Sequence, residues 1–139
     1  MNGFKTAALG LAAGLAFALP AQAAETPQQE LTALYQCAGA MGLFDGYMED
    51  PTSPVTEVDR TLAASLNTLE PRFRARDIVL DGMLGEETVR ATGEALRADM
   101  MAKIEPLRGD PQARLKVVAL FRPVLESCVV RGAALPAVP

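Results

Sequence analysis

Residues 26–48 read TPQQELTALYQCAGAMGLFDGYM, and this stretch decides the fold class. Thr26 suits a helix N-cap, Pro27 suits the first helical position, and Gln29 stands three residues after Thr26 in capping-box register. Leu34, Cys37, Met41, Phe44 and Met48 then recur at spacings of three and four, with Leu31 and Ala38 beside them. That is one face of an α-helix, not the alternation of a strand. Gly39, Gly42 and Gly46 fall on an adjoining strip with Tyr35. Glycines at helical spacing let a second helix approach closely, but each costs about 1 kcal/mol against Ala. The strip therefore reads either as a close-approach surface or as a weak segment that ends the helix near Gly46.

Outward from this helix the same periodicity returns three times. Asp50 to Pro54 is a break, with Ser53 as cap and Pro54 at the first position of a second helix. Its expected inner face is Val55, Val58, Leu62, Leu66 and Leu69; Pro71 should kink or end it, with a short restart over 71–80 stopped by Asp81-Gly82. A third helix spans about Glu86 to Glu105, with Val89, Gly93, Leu96, Met100 and Ile104 as its seam. Its outer face offers the i,i+4 pairs Glu86–Arg90, Arg90–Glu94 and Asp99–Lys103. Pro106 and Gly109 end it. Asp110 caps a fourth helix opened by Pro111, with Leu115, Val118, Phe121, Leu125 and Cys128 inward, a kink at Pro123 and a stop at Gly132. No sustained period-2 alternation and no internal repeat is present. The predicted fold is all-α: a small four-helix, up-and-down-like bundle with kinked second and fourth helices and one disulfide.

The N-terminus reads as a secretory signal peptide over residues 1–23. Lys5 supplies a positive charge, residues 7–19 are an uncharged apolar run, Pro20 breaks it, and Ala21-Gln22-Ala23 fits a signal peptidase. Thirteen apolar residues are too few for the roughly 20 that span a bilayer. The expected layout is a leader over 1–23, one helical domain over 24–132 and a disordered tail over 133–139, with a periplasmic or secreted location and no stable membrane insertion after cleavage.

Two cysteines in an exported chain favour a disulfide. Cys37 and Cys128 are too far apart for a CxxC redox site, and each sits on the inner seam of its helix. Bridging them would stabilise the fold by about 4–5 kcal/mol in the loop-closure limit. One mismatch remains. Cys37 lies about ten residues from its helix start and Cys128 about four from the predicted end of its own, an axial offset of ~9 Å.

Composition excludes more than it identifies. The net charge is −4, and −5 once Lys5 leaves with the leader, which argues against nucleic acid and anionic membrane surfaces. The chain has no histidine, so His-based acid–base catalysis, Ser-His-Asp and Cys-His arrangements, common zinc sites and c-type haem attachment are all ruled out. No P-loop or GxGxxG occurs. No cofactor, metal or catalytic residue is assigned, and an enzyme is not expected.

Three features remain to be weighed. Arg72, Arg74 and Arg76 form a possible anion-binding cluster, against a solvated face with Arg74 paired to Glu70. Asp77, Asp81, Glu86 and Glu87 surround a Gly-containing loop but lack the ligand spacing of a calcium loop. Met41, Met48, Met83, Met100 and Met101 fit core filling better than thioether capture of copper, since three of them fall on predicted seams.

The leading function is therefore an exported, non-enzymatic helical binding protein of the bacterial cell envelope with a protein partner, holdase-like or inhibitor- or immunity-like. The plan is similar to that of small periplasmic chaperones and toxin-immunity proteins, with no shared motif and no residue role carried over. The alternative is a carrier of, or enzyme acting on, a small anionic ligand at the three arginines. Oligomeric state is not encoded in any feature of the sequence.

Overall fold

The computed structural model describes residues 24–139; the leader expected over 1–23 lies outside the described residues. Four helices follow in order: α1 (Pro27–Glu49), α2 (Glu57–Leu84), α3 (Glu86–Ile104) and α4 (Ala113–Ala134), with a 3-10 turn over Glu105–Leu107. No strand occurs among the described residues.

The capping box at Thr26 forms: the Thr26 hydroxyl accepts the Gln29 N–H at 3.2 Å, and the Gln29 side chain accepts the Thr26 N–H at 2.9 Å. From there α1 runs past Gly46 to Glu49. Phe44 and Tyr47 are buried on either side of Gly46, and the Tyr47 hydroxyl donates to the Pro54 carbonyl at 3.0 Å. Burial of two aromatic rings outweighs a propensity deficit of about 1 kcal/mol.

The second helix starts later than expected. Thr56, not Ser53, is its N-cap, in a reciprocal capping box with Asp59. The Thr56–Asp59 spacing satisfies two orphan N–H groups, whereas Ser53 has no acidic or amide side chain three residues on. This register turns Asp59 inward and leaves Val58 68 % exposed, against the expected inner face. The helix then continues through Pro71 to Leu84 without the expected restart. Leu66 and Leu69 before the proline, and Phe73 and Leu80 after it, are all buried. Continuous packing on both sides keeps the segment helical while Pro71 removes one ladder bond. Gly85, at φ +83°, makes the stop that Asp81-Gly82 was expected to make.

Asp110 caps a turn, not α4: its carboxylate accepts the Gln112 N–H at 2.7 Å, and the helix begins at Ala113. Pro123 lies inside α4. Gly132 does not stop that helix. It is a crossing point, because a Cβ there would lie 2.8 Å from Phe73 Cζ and 2.9 Å from Leu69 Cδ1. The first two residues of the expected tail, Ala133 and Ala134, are helical.

Paired residues set the helix directions. Glu25 meets Arg131 and Asp50 meets Arg114, so α4 runs antiparallel to α1. Glu30 meets Arg76, and Tyr47 meets Pro54, so α2 also runs antiparallel to α1. Asp59 meets Arg122 and Phe73 meets Gly132, so α2 and α4 are parallel. Tyr35 meets Gly93 and Gly39 meets Met100, so α3 runs parallel to α1. The up-and-down order holds, but the corners are unequal. Helices α1, α2 and α4 share the core, while α3 lies against α1 and meets α2 only slightly. Thr92 is the one buried residue of α3, and its seam of Val89, Gly93, Leu96, Met100 and Ile104 is half-buried.

Cys37 and Cys128 are joined, with Cα atoms 5.7 Å apart. The expected offset is eased because α4 continues to Ala134. Cys37 is ten residues into α1 and Cys128 six from the end of α4, a stagger of about 6 Å.

Candidate functional site

The three arginines do not converge. Arg72 donates through Nη1 to the Leu135 carbonyl at 3.2 Å and more distantly to Ala133, satisfying the carbonyl end of α4. Arg74 pairs with Glu70 across one turn on the exposed face. Arg76 makes a two-pronged bond to Glu30, at 2.6 and 2.7 Å, and ties α2 to the start of α1. Each guanidinium thus has an acceptor within the chain, and the three occupy separate settings.

Sequence periodicity missed an ion pair with a buried carboxylate between α2 and α4. Asp59, 1 % exposed, receives a hydrogen bond from Arg122 of α4 while its other oxygen closes the Thr56 box. Burial works to raise this carboxyl, but the bonds from Arg122 and Thr56 prevail and hold it below the usual aspartate range. The pair joins α2 to α4 and is structural. Only the Thr-x-x-Asp spacing at 56–59 signalled it.

A different region has the features of a binding site. Because α3 leaves α2 so little covered, a groove remains along α1 with α2 as one wall and α3 as the other. On the α2 side it forms a cleft of 380 Å³ floored by Leu34, Ala38, Met41 and Phe73 and edged by Asp45, Glu70 and Asp77. On the α3 side lies a more apolar trough of 420 Å³ against Leu96 and Met100. Tyr35, Ala38 and Gly42 belong to both, so the two troughs are continuous across α1.

The glycine strip of α1 explains the floor. At Gly39 an added Cβ would meet the Met100 thioether at 2.5 Å, so α3 uses the close approach there. At Gly42 and Gly46 nothing among the described residues lies within 4 Å of where a Cβ would stand. Of the two readings the sequence allowed, close approach holds at Gly39; Gly42 and Gly46 are open surface, and the helix does not end there.

The α2 wall, with Asp45 of α1 at its foot, is rich in acceptors and poor in donors. Partial desolvation pushes the Asp45 carboxyl up, and Glu49 and Glu70 push it the same way. Burial and the neighbouring Asp81 raise Asp77. One oxygen each of Asp77 and Asp81 is shut off from solvent with no hydrogen-bond partner among the described residues. Burial, then the fields of Asp77 and Asp81 and hydrogen bonding to Asp81, raises the Tyr35 phenol at the end of the cleft. Pro71 has no N–H, so the carbonyl of Asn67, another wall residue, lacks its ladder partner. Arg74 is the one cationic side chain on this wall among the described residues, and Glu70 holds it.

The described residues contain no group of three or more side chains suited to a metal ion. Met41, Met48 and Met100 are half-buried in the packing, and Met83 and Met101 are exposed on separate helices. No helix among the described residues is long and apolar enough to cross a membrane. No known protein family, curated protein or solved structure significantly matches the chain.

Proposed function

We propose that this chain is a non-enzymatic interaction protein of the bacterial cell envelope, exported by its leader and bound to a protein partner through the groove along α1. The observation that carries this is the unfilled floor at Gly42, in a bundle whose helix crossings at Gly39 and Gly132 are closely packed. A Cβ-free helix face with open space above it admits another backbone at short range, which is what a helix-in-groove contact requires. The groove is open along its length, presents apolar and acceptor groups, and offers no nucleophile beside a base. Binding suits it better than turnover. The disulfide between α1 and α4 is compatible with an oxidising compartment and holds the floor helix against the core.

Cross-linking in intact cells at native expression, read by mass spectrometry under non-reducing conditions, tests this. The expected result is a heterologous adduct on a chain that begins near Ala24 and has both thiols joined. Recovery of monomer alone, or of a chain that keeps residues 1–23 and free thiols, contradicts it.

A further inference from the structure

We infer that the groove along α1 is a docking surface for a basic amphipathic helix of the partner, with Lys or Arg side chains laid against the α2 wall and small apolar residues against the glycine floor. The inference deepens the reading of the chain as an interaction protein, and rests on it.

Charge complementarity selects the occupant. Asp45 and Asp77 have no cationic partner among the described residues, and like-charged neighbours crowd both: Glu49 and Glu70 around Asp45, Asp81 around Asp77. No cationic group of the three surrounding helices is free to face the wall. Arg74 of α2 is paired with Glu70, Arg76 of α2 is turned to Glu30, and Arg97 of α3 lines the far trough. Glu70 lines the same cleft, so a cation laid there faces three carboxylates, of which one is already paired. A guanidinium or ammonium here would relieve the mutual repulsion that the free protein retains.

The shape selects a helix over a small cation. The floor from Leu34 to Asp45 spans three helical turns, about 16 Å. It is apolar, and it extends sideways to Leu96 and Met100, away from the carboxylates of the α2 wall. A small ammonium would use the carboxylates and leave this surface wet. A helix covers both, with basic residues at i and i+4 on one edge and Ala, Gly or Leu on the seam. It would sit between α2 and α3, over the open Gly42 of α1.

The test uses the full mature chain and a synthetic helical peptide of about four turns, with Lys along one edge and Ala and Leu on the seam. A matched peptide carries Glu in place of Lys, and spermidine serves as the small cation. Calorimetry is expected to show binding of the Lys peptide only, weakening as salt rises. Gly42→Leu, which fills open floor without touching charge, and the double variant Asp45→Asn with Asp77→Asn should each weaken binding at least tenfold while far-UV circular dichroism stays unchanged. Equal binding of the Glu peptide, full competition by spermidine, or unchanged affinity in both variants overturns the assignment. Cellular cross-linking separates this failure from failure of the broader reading. A partner still captured by both groove variants keeps the interaction role and removes the groove, whereas no partner in any variant removes both.

Discussion

Asp59 of α2 and Arg122 of α4 form a salt bridge 63 residues apart in sequence, with the carboxylate sealed from solvent and the guanidinium partly exposed. Removing one partner leaves a buried charge uncompensated. Arg122→Met is therefore expected to destabilise the fold by about 3 kcal/mol, and adding Asp59→Asn should restore part of the loss. Urea unfolding of the two variants checks this. A double variant no more stable than the single would contradict the pairing.

The glycines offer a three-way comparison. Gly132→Ala drives a Cβ into Leu69 and Phe73 and should cost about 1–3 kcal/mol. Gly39→Ala meets only the flexible end of Met100 and should cost less. Gly46→Ala enters open space in a helix interior and should stabilise by up to about 1 kcal/mol. The ranking of melting temperatures is the readout.

The stability profile against pH should be a dome with an acidic optimum. The bond from Arg76 lowers Glu30, the bond from Arg131 lowers Glu25, and Asp59 is lowered as well. Stability from these groups is full above the ordinary carboxylate range and is lost as pH falls through their lowered native values. Asp45 and Asp77 are raised, so they detract from stability at neutral pH, and protonation relieves that as pH falls through their native values. Unfolding midpoints should rise as pH falls through the raised values of Asp45 and Asp77, then fall as pH passes on through the lowered values of Glu25, Glu30 and Asp59. Asp77→Asn should flatten the rise. A holdase-like role adds a further expectation: an apolar dye should brighten on the acid side of the dome, where exposed core marks an opened chain.

Helix α3 should open before the rest. Its ends meet the only two residues with positive φ among those described, Gly85 at +83° and Gly109 at +80°, the latter just past the 3-10 turn. Thr92 is its one buried residue, and the rest of its seam is only half-buried. Native-state hydrogen exchange is expected to show α3 amides exchanging through a local opening well below the global unfolding energy, with α1 and α4 near the global limit. Uniform protection across all four helices would contradict this.

Reduction should be tolerated less well than any single surface change. The Cys37–Cys128 link joins residues 91 apart in sequence, so its loss is expected to lower stability by up to about 4–5 kcal/mol, measured as the shift in urea midpoint on adding reductant.

Much of the bundle was legible in the sequence, and what was not has identifiable causes. The Thr26 capping box and the seams of α3 and α4 from Val118 onward follow from spacing, a local signal; the cysteine pair followed from inward spacing together with the expected export to an oxidising compartment. The start of α2 was misplaced because two caps competed, and Arg122, distant in sequence, favoured the inward turn of Asp59. The continuity of α2 through Pro71 was hidden because the packing of Phe73 and Leu80 is tertiary. The groove was visible only as an ambiguity at Gly39, Gly42 and Gly46. Resolving it required knowing that α3 covers one of these glycines and not the others.

The most direct measurement places a photo-cross-linking residue at Asn67 on the exposed wall of the groove and, as a control, at Val130 on the exposed face of α4, then irradiates living cells. Capture of one heterologous protein at Asn67, abolished by Asp45→Asn with Asp77→Asn and absent at Val130, is the expected result. No adduct at Asn67, or the same adduct at both positions, would contradict the account.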